Sequence, residues 1–270
     1  MAERHRPVAE LRPPPADQGP EEESAPFRPA TRRDRIEELV IVLSLTLLSS
    51  AVYALINLLS APVNSGVIVA VFSNSDLARQ VTGIVFALVP VWLVFYLIRR
   101  NGESLETFGL DTRTLRSDAG WGVLLGLGVS VLGLGIYLAA IALNVNRFVV
   151  PVPPLGYWWS IPILVLGSVQ NGLLEEIVVV GYMIPRLEQV GMRDAYAILT
   201  SAVLRGSYHL YQGWGGFTGN LLMGLLFGTI FVRWRRTWPL VIAHATIDTL
   251  AGLAYIAFRG HCFGGLCIPR

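Results

Sequence analysis

The sequence predicts an all-α, polytopic membrane protein of about seven to eight transmembrane helices around an intramembrane polar cavity. Three observations predict it. Of the 270 residues, 53% are hydrophobic and only 15% are charged, with a mean hydropathy of +0.54, a balance foreign to soluble domains. The apolar residues fall into long runs near the length that a bilayer core requires. A few ionisable residues interrupt those runs, where each costs about 2.5–3.5 kcal/mol on insertion scales and so faces the protein interior.

In chain order, residues 1–35 come first, rich in Pro, Glu and Arg (RPPPADQGPEEESAPFRP). They lack the apolar stretch that folding or targeting needs and predict a disordered cytoplasmic arm with no cleavable signal peptide. Residues 36–260 form the transmembrane domain, with a motif-bearing core at 158–258. Seven spans are expected at roughly 38–60, 80–98, 119–143, 158–187, 195–212, 217–232 and 238–258, the sixth being short. The third carries Gly122, Gly126, Gly128, Gly133 and Gly135, spaced for close helix–helix approach.

The tail, 261–270, holds the only two cysteines, Cys262 and Cys267. A small disulfide loop and a pair of free thiols are both compatible with HCFGGLC. All 21 basic residues are arginine, which fits a GC-rich, bacterial genome. With the N-terminus inside, sixteen arginines lie on cytoplasmic segments and four outside. The positive-inside bias therefore predicts a cell-membrane protein with a cytoplasmic N-terminus and an extracytoplasmic C-terminus. A formal net charge of +2 gives no reason to expect a nucleic-acid partner; membrane lipids are the expected surroundings.

Three spans carry ionisable groups. The fourth holds the adjacent pair Glu175 and Glu176, the fifth Arg205 and His209, and the seventh His244 and Asp248. Scattered in lipid, the four groups other than histidine would cost on the order of 10 kcal/mol, so one shared cluster is expected. Ser168, Asn171, Glu175 and Tyr182 share a helical stripe, as do Ser201, Arg205, His209 and Gln212. Glu176 lies about 100° round the helix from Glu175, so one carboxylate addresses the reacting centre while a partner holds the other.

These residue types suit hydrolysis of an unreactive acyl bond. A buried glutamate can act as general base toward water. Histidines can stabilise the developing oxyanion or ligate a metal when neutral. Arg205 can neutralise the second carboxylate, and Asp248 can fix a histidine tautomer. A Ser–His–Asp mechanism through Ser201 or Ser207 lacks a nucleophile-elbow sequence. These residues establish no cofactor; a divalent metal such as zinc is compatible, with Glu175, His209 and His244 as its ligands.

Glu-Glu in one helix, a histidine late in the next, then His-x-x-x-Asp two helices on resembles the CPBP (CAAX protease and bacteriocin-processing, or Abi) intramembrane endopeptidases, relatives of the type II CAAX prenyl endopeptidases. The resemblance covers about Leu173 to Leu250. It implies a multi-helix fold with a site opening to the cytosol and a peptide or membrane-protein substrate. By position, Glu175 looks like the catalytic base and Glu176 its paired carboxylate. His209 and His244 look like the oxyanion or ligand histidines, and Asp248 stands at the family's Asn/Asp position. Two positions depart. The family's Glu-Glu-x-x-x-Arg has Val180 at its arginine, and its Phe-x-x-x-His has Arg205 at its phenylalanine. Arg205 is expected to supply the charge that Val180 cannot.

Plainer readings exist for the same residues. Glu175 and Glu176 can form a structural ion pair with Arg205, as in a catalytically silent adaptor or immunity-type relative. Buried carboxylates also serve proton-coupled transporters. Tyr182, Tyr208 and Gln212 read as structural. One discrepancy remains within the sequence: simple up-and-down helices leave His209 and His244 about 15 Å apart in depth, unless the chain near Tyr211–Phe217 breaks within the membrane.

Overall fold

The computed structural model describes residues 31–43, 47, 51, 76–149, 155–263 and 266–268. Residues 1–30 of the expected arm and most of the expected first span lie outside the described residues. The described chain opens with α1 (Arg32–Leu43), which takes in the last residues assigned to the arm. It continues through α2 (Asp76–Ala87) and α3 (Val89–Arg100). Pro90, in the first turn of α3, has no N–H to donate, so the helical path is interrupted at Leu88 and begins again.

Helix α4 (Leu115–Ala142) follows, then a long helical path made of α5 (Ser160–Glu175), a π-helical segment (Glu176–Tyr182) and α6 (Met183–Gln189). Helices α7 (Asp194–Tyr208), α8 (Trp214–Trp234) and α9 (Trp238–Phe258) complete the bundle. Within the described residues, five stretches are long and apolar enough to cross a bilayer: Gln80–Arg100, Leu115–Ala142, Ser160–Gln189, Trp214–Trp234 and Trp238–Phe258. The fold is an all-α polytopic one. Its only described strands are the two-residue pair Cys262–Phe263 and Leu266–Cys267 in the tail. There Cys262 stands opposite Cys267 in register and is disulfide-bonded.

Two spans differ from expectation. The fifth, α7, is only 15 residues long, about 22 Å, too short to cross. The sixth, α8, is 21 residues long, because Trp214, Gly215 and Gly216 join the helix instead of breaking it. The break falls earlier, at a 3-10 turn (Leu210–Gln212) and Gly213, whose φ of +107° is open to glycine at little cost.

Packing around α9 fixes the core. A Cβ at Gly122 would stand 2.7 Å from the Pro239 carbonyl, one at Gly126 2.8 Å from that of Ala243, and one at Gly172 2.7 Å from that of Val241. Those glycines let α4 and α5 approach the α9 backbone directly, which is how helices associate in lipid. Gly128, Gly133 and Gly135 meet nothing within 4 Å, so only part of the expected glycine face is a packing face.

The loops rich in arginine meet at one end of the bundle. Arg186 pairs with Glu103 at 2.7 Å and Arg235 with Glu188 at 2.6 Å, while Arg236 contacts Asp111 and Asp118. Thr237 donates to the Phe108 carbonyl at 2.7 Å and Trp238 to that of Leu110 at 3.2 Å. These contacts tie the segment after α3 to the α8–α9 turn and set the height of α9, and so of His244, against α5.

Candidate active site

The helical path Ser160–Gln189 changes winding at the second glutamate. From Glu176 to Tyr182 it is π-helical, and all seven residues are buried. π-segments are uncommon and concentrate at functional sites. The wider turn breaks the stripe expected from α-helical spacing. Tyr182 turns away from Glu175, stacks on Phe108 with ring centroids 6.0 Å apart and lies against the Arg186 guanidinium.

Arg205, fully buried on α7, is the centre of the site. Its Nη2 donates to Glu176 Oε1 at 2.6 Å, lies 3.3 Å from Glu175 Oε2 and stands 2.9 Å from His244 Nδ1. His244 Nδ1 is also 2.7 Å from Glu176 Oε1. That nitrogen donates to Glu176 when protonated and accepts from Arg205 when not. The guanidinium lies against the Phe227 ring, 5.5 Å from its centroid. Room for it comes from Gly224, where a Cβ would be 2.8 Å from Ala202 Cα and 3.3 Å from Arg205 Cδ. Val180 is buried among apolar residues, so Glu176 takes its positive partner from α7 and not from its own helix.

Glu175 sits nearer the surface of the cluster, its side chain 13% exposed where Glu176 is 0% exposed. Its Oε2 accepts from the Tyr208 hydroxyl at 2.7 Å. Among the described residues no hydrogen bond reaches its Oε1. Tyr208 is therefore a site residue that the sequence reading placed among structural ones; its spacing of three from Arg205, one face of a helix, was the available signal.

Asp248 lies a turn beyond His244, with Oδ2 3.6 Å from His244 Nε2, and it accepts from Asn171 Nδ2 at 3.2 Å. His209 ends α7. Its Nδ1 donates to the Arg205 carbonyl at 3.0 Å, which leaves the lone pair of the neutral ring on Nε2. The ring packs on Tyr208 and Tyr211. The chain after α4 braces this end: Arg147 N donates to the Gln212 carbonyl at 2.6 Å, and Gly215 N to that of Val145 at 3.0 Å.

The structure thus gathers Glu175, Glu176, Arg205 and His244 directly, with Asp248 one contact further out. His209 touches the Arg205 backbone and Tyr208 instead of joining that network. The short α7 accounts for the depth discrepancy, since Arg205 and Tyr208 bring the helix to the glutamates while His209 stays at its end. For a metal, the arrangement is poor. Among the described residues no group of three or more His, Cys, Asp or Glu is placed to hold an ion, so Glu175, His209 and His244 are not assembled as a ligand set. The Arg205 guanidinium sits between the carboxylates where a cation would have to go, and like charge disfavours one there.

A bundle of membrane-length helices enclosing carboxylates, an arginine and imidazoles defines a multi-pass membrane protein with a buried polar centre. A family model described as Rce1-like, type II CAAX prenyl endopeptidase Rce1-like, matches residues 157–250, which include every one of these groups. Over this segment, less than half of the chain, the protein is similar to type II CAAX prenyl endopeptidases. No curated protein and no solved structure matches the chain.

Proposed function

We propose that the protein hydrolyses a peptide bond within the membrane by means of a water activated by Glu175. The observation that carries this reading is the difference between the two glutamates. Each is held through one oxygen, but Glu176 is fully buried, with Arg205 and His244 on its Oε1 and its Oε2 shut in the interior, whereas Glu175, held through Oε2, is partly exposed and keeps Oε1 open. A water at Oε1 gives its proton to Glu175 as its oxygen attacks the scissile carbonyl carbon. The carbonyl oxygen takes up the negative charge, and Arg205, held close by Glu176, supplies the opposing field in a medium of low dielectric. The C–N bond then breaks, and the proton returns to the leaving amine from Glu175. His209 Nε2, carrying the ring's lone pair, is placed to accept a hydrogen bond from that amine. Asp248 and Asn171 orient His244 from the outer side of the cluster. In this reading the arginine-rich end of the bundle faces the cytosol.

The test uses protein reconstituted in lipid vesicles and a panel of fluorescence-quenched peptides, one ending in a prenylated CAAX sequence and the others membrane-spanning. Glu175→Gln and His209→Ala are expected to abolish cleavage while keeping the wild-type melting temperature. Cleavage that survives in Glu175→Gln contradicts the proposal. One observation favours a second reading, a silent relative: Glu176, Arg205 and His244 pair with one another away from solvent, as a structural ion pair would. Absence of cleavage by the wild type across the panel would favour it.

A further inference from the structure

The hydrogen bond between Tyr208 and Glu175 has a role distinct from packing. Tyr208 is the last residue of α7, its ring is buried, and its hydroxyl donates to Glu175 Oε2 at 2.7 Å. The same oxygen faces Arg205 Nη2 at 3.3 Å. A carboxylate with a free torsion about its last bond would present either oxygen to the chamber and turn between them. The hydrogen bond from Tyr208 and the charge of Arg205, both at Oε2, remove that freedom. Oε1, which receives no hydrogen bond among the described residues, is then the oxygen left to meet a substrate water. Arg205 alone would not achieve this, because its Nη2 is shared with Glu176 at 2.6 Å and His244 at 2.9 Å, both closer than Glu175.

We infer that Tyr208 is a positioning residue for the reaction, fixing the rotamer of Glu175 so that a single oxygen is offered to water. This rests on the reading of Glu175 as the base. The bracing around it fits such a role. The ring of Tyr208 lies 4.7 Å from that of His209. The backbone just beyond is tied to the chain after α4 through Arg147 N and Gly215 N. The phenol is therefore held from the far side of the break as well as by its own helix. A hydrogen bond to a charged group is typically worth about 10–100-fold in rate when it orients the reacting group.

Two measurements on the full chain in lipid vesicles test it. In the first, 3-fluorotyrosine is placed at position 208 and its fluorine resonance is followed without substrate. Glu175→Gln is expected to move that resonance, and an unmoved resonance overturns the contact. In the second, Tyr208→Phe is compared with wild type on the same peptide panel. The expected result is a fall in kcat of about 10–100-fold at unchanged KM and melting temperature, with 3-fluorotyrosine at 208 restoring the rate because it keeps the donor. A wild-type kcat in Tyr208→Phe, alongside an inactive Glu175→Gln, overturns this inference and leaves the base assignment standing. Activity in Glu175→Gln would instead remove the base assignment itself, while the fluorine measurement still decides the contact.

Discussion

Two arginines, Arg186 and Arg205, are both fully buried in this bundle, both lie against aromatic rings and both meet glutamates, yet only Arg205 contacts two adjacent carboxylates and an imidazole. Arg186 lies between Phe108 and Tyr182, 4.9 and 4.8 Å from their ring centroids, and pairs with Glu103 at 2.7 Å beside Gln189. Its partners come from helix ends and the segment after α3, and they tie α6 to its neighbours. Arg205 instead joins the short α7 to the helical path Ser160–Gln189 and to α9 through two adjacent carboxylates and an imidazole. The lesson is that a buried ion pair is not in itself a site. What separates the two is a carboxylate held by one oxygen only, next to groups that can carry a proton.

Removal of the base should give the largest effect. Glu175→Gln keeps the size of the side chain and should lower cleavage about 100- to 10,000-fold with no change in melting temperature, measured as initial rates in vesicles. Arg186→Ala should do the reverse, destabilising the fold by about 3–5 kcal/mol because Glu103 loses its nearest cation, keeping only Gln189 and the more distant Arg35, and the guanidinium leaves a hole between two rings, while the rate per folded molecule is kept. Denaturant or thermal unfolding in detergent reads that difference.

A smaller effect is expected at the wall behind Arg205. Gly224→Ala puts a methyl group 2.8 Å from Ala202 Cα and should cost about 1–3 kcal/mol through overpacking, with a parallel loss of rate as Arg205 is displaced. Gly128→Ala, which meets nothing within 4 Å, should leave melting temperature and rate unchanged.

The smallest effect concerns the loop end. There the hydrogen bond from Arg236 holds the Asp111 carboxyl below its ordinary range. A carboxyl lowered in the folded state stabilises the fold above its unfolded value and loses that contribution as pH falls through the folded one. Asp111→Asn should therefore lower stability slightly at neutral pH and leave it almost unchanged at low pH, which flattens the acid side of the stability–pH curve, as thermal melts between pH 3 and 7 on the order of one unit apart would record.

How far the sequence reads this structure depends on the physics behind each element. Apolar length alone locates the described spans at 80–98, 119–143, 158–187 and 238–258 to within a few residues of the helices found, because the bilayer leaves helices little choice. The clustering of Glu175, Glu176, Arg205 and His244 was legible too, since unpaired charge in lipid is so costly. Three features were not. The π-helical turn from Glu176 to Tyr182 leaves no mark on hydropathy, and it moved Tyr182 off the polar stripe. The end of α7 at Tyr208 depends on Gly213 adopting a positive φ, which GWGG permits at any of three positions. Tyr208 itself looked like packing because a tyrosine near a helix end is common at membrane interfaces; only its neighbours reveal its hydroxyl.

The most direct test sets the two arginine centres side by side. Initial cleavage rates of Glu175→Gln and Arg186→Ala are measured in the same vesicles, each divided by its folded fraction. A loss of at least about 100-fold is expected for Glu175→Gln and a rate near wild type for Arg186→Ala. Equal losses, or cleavage that persists without the Glu175 carboxylate, would contradict it.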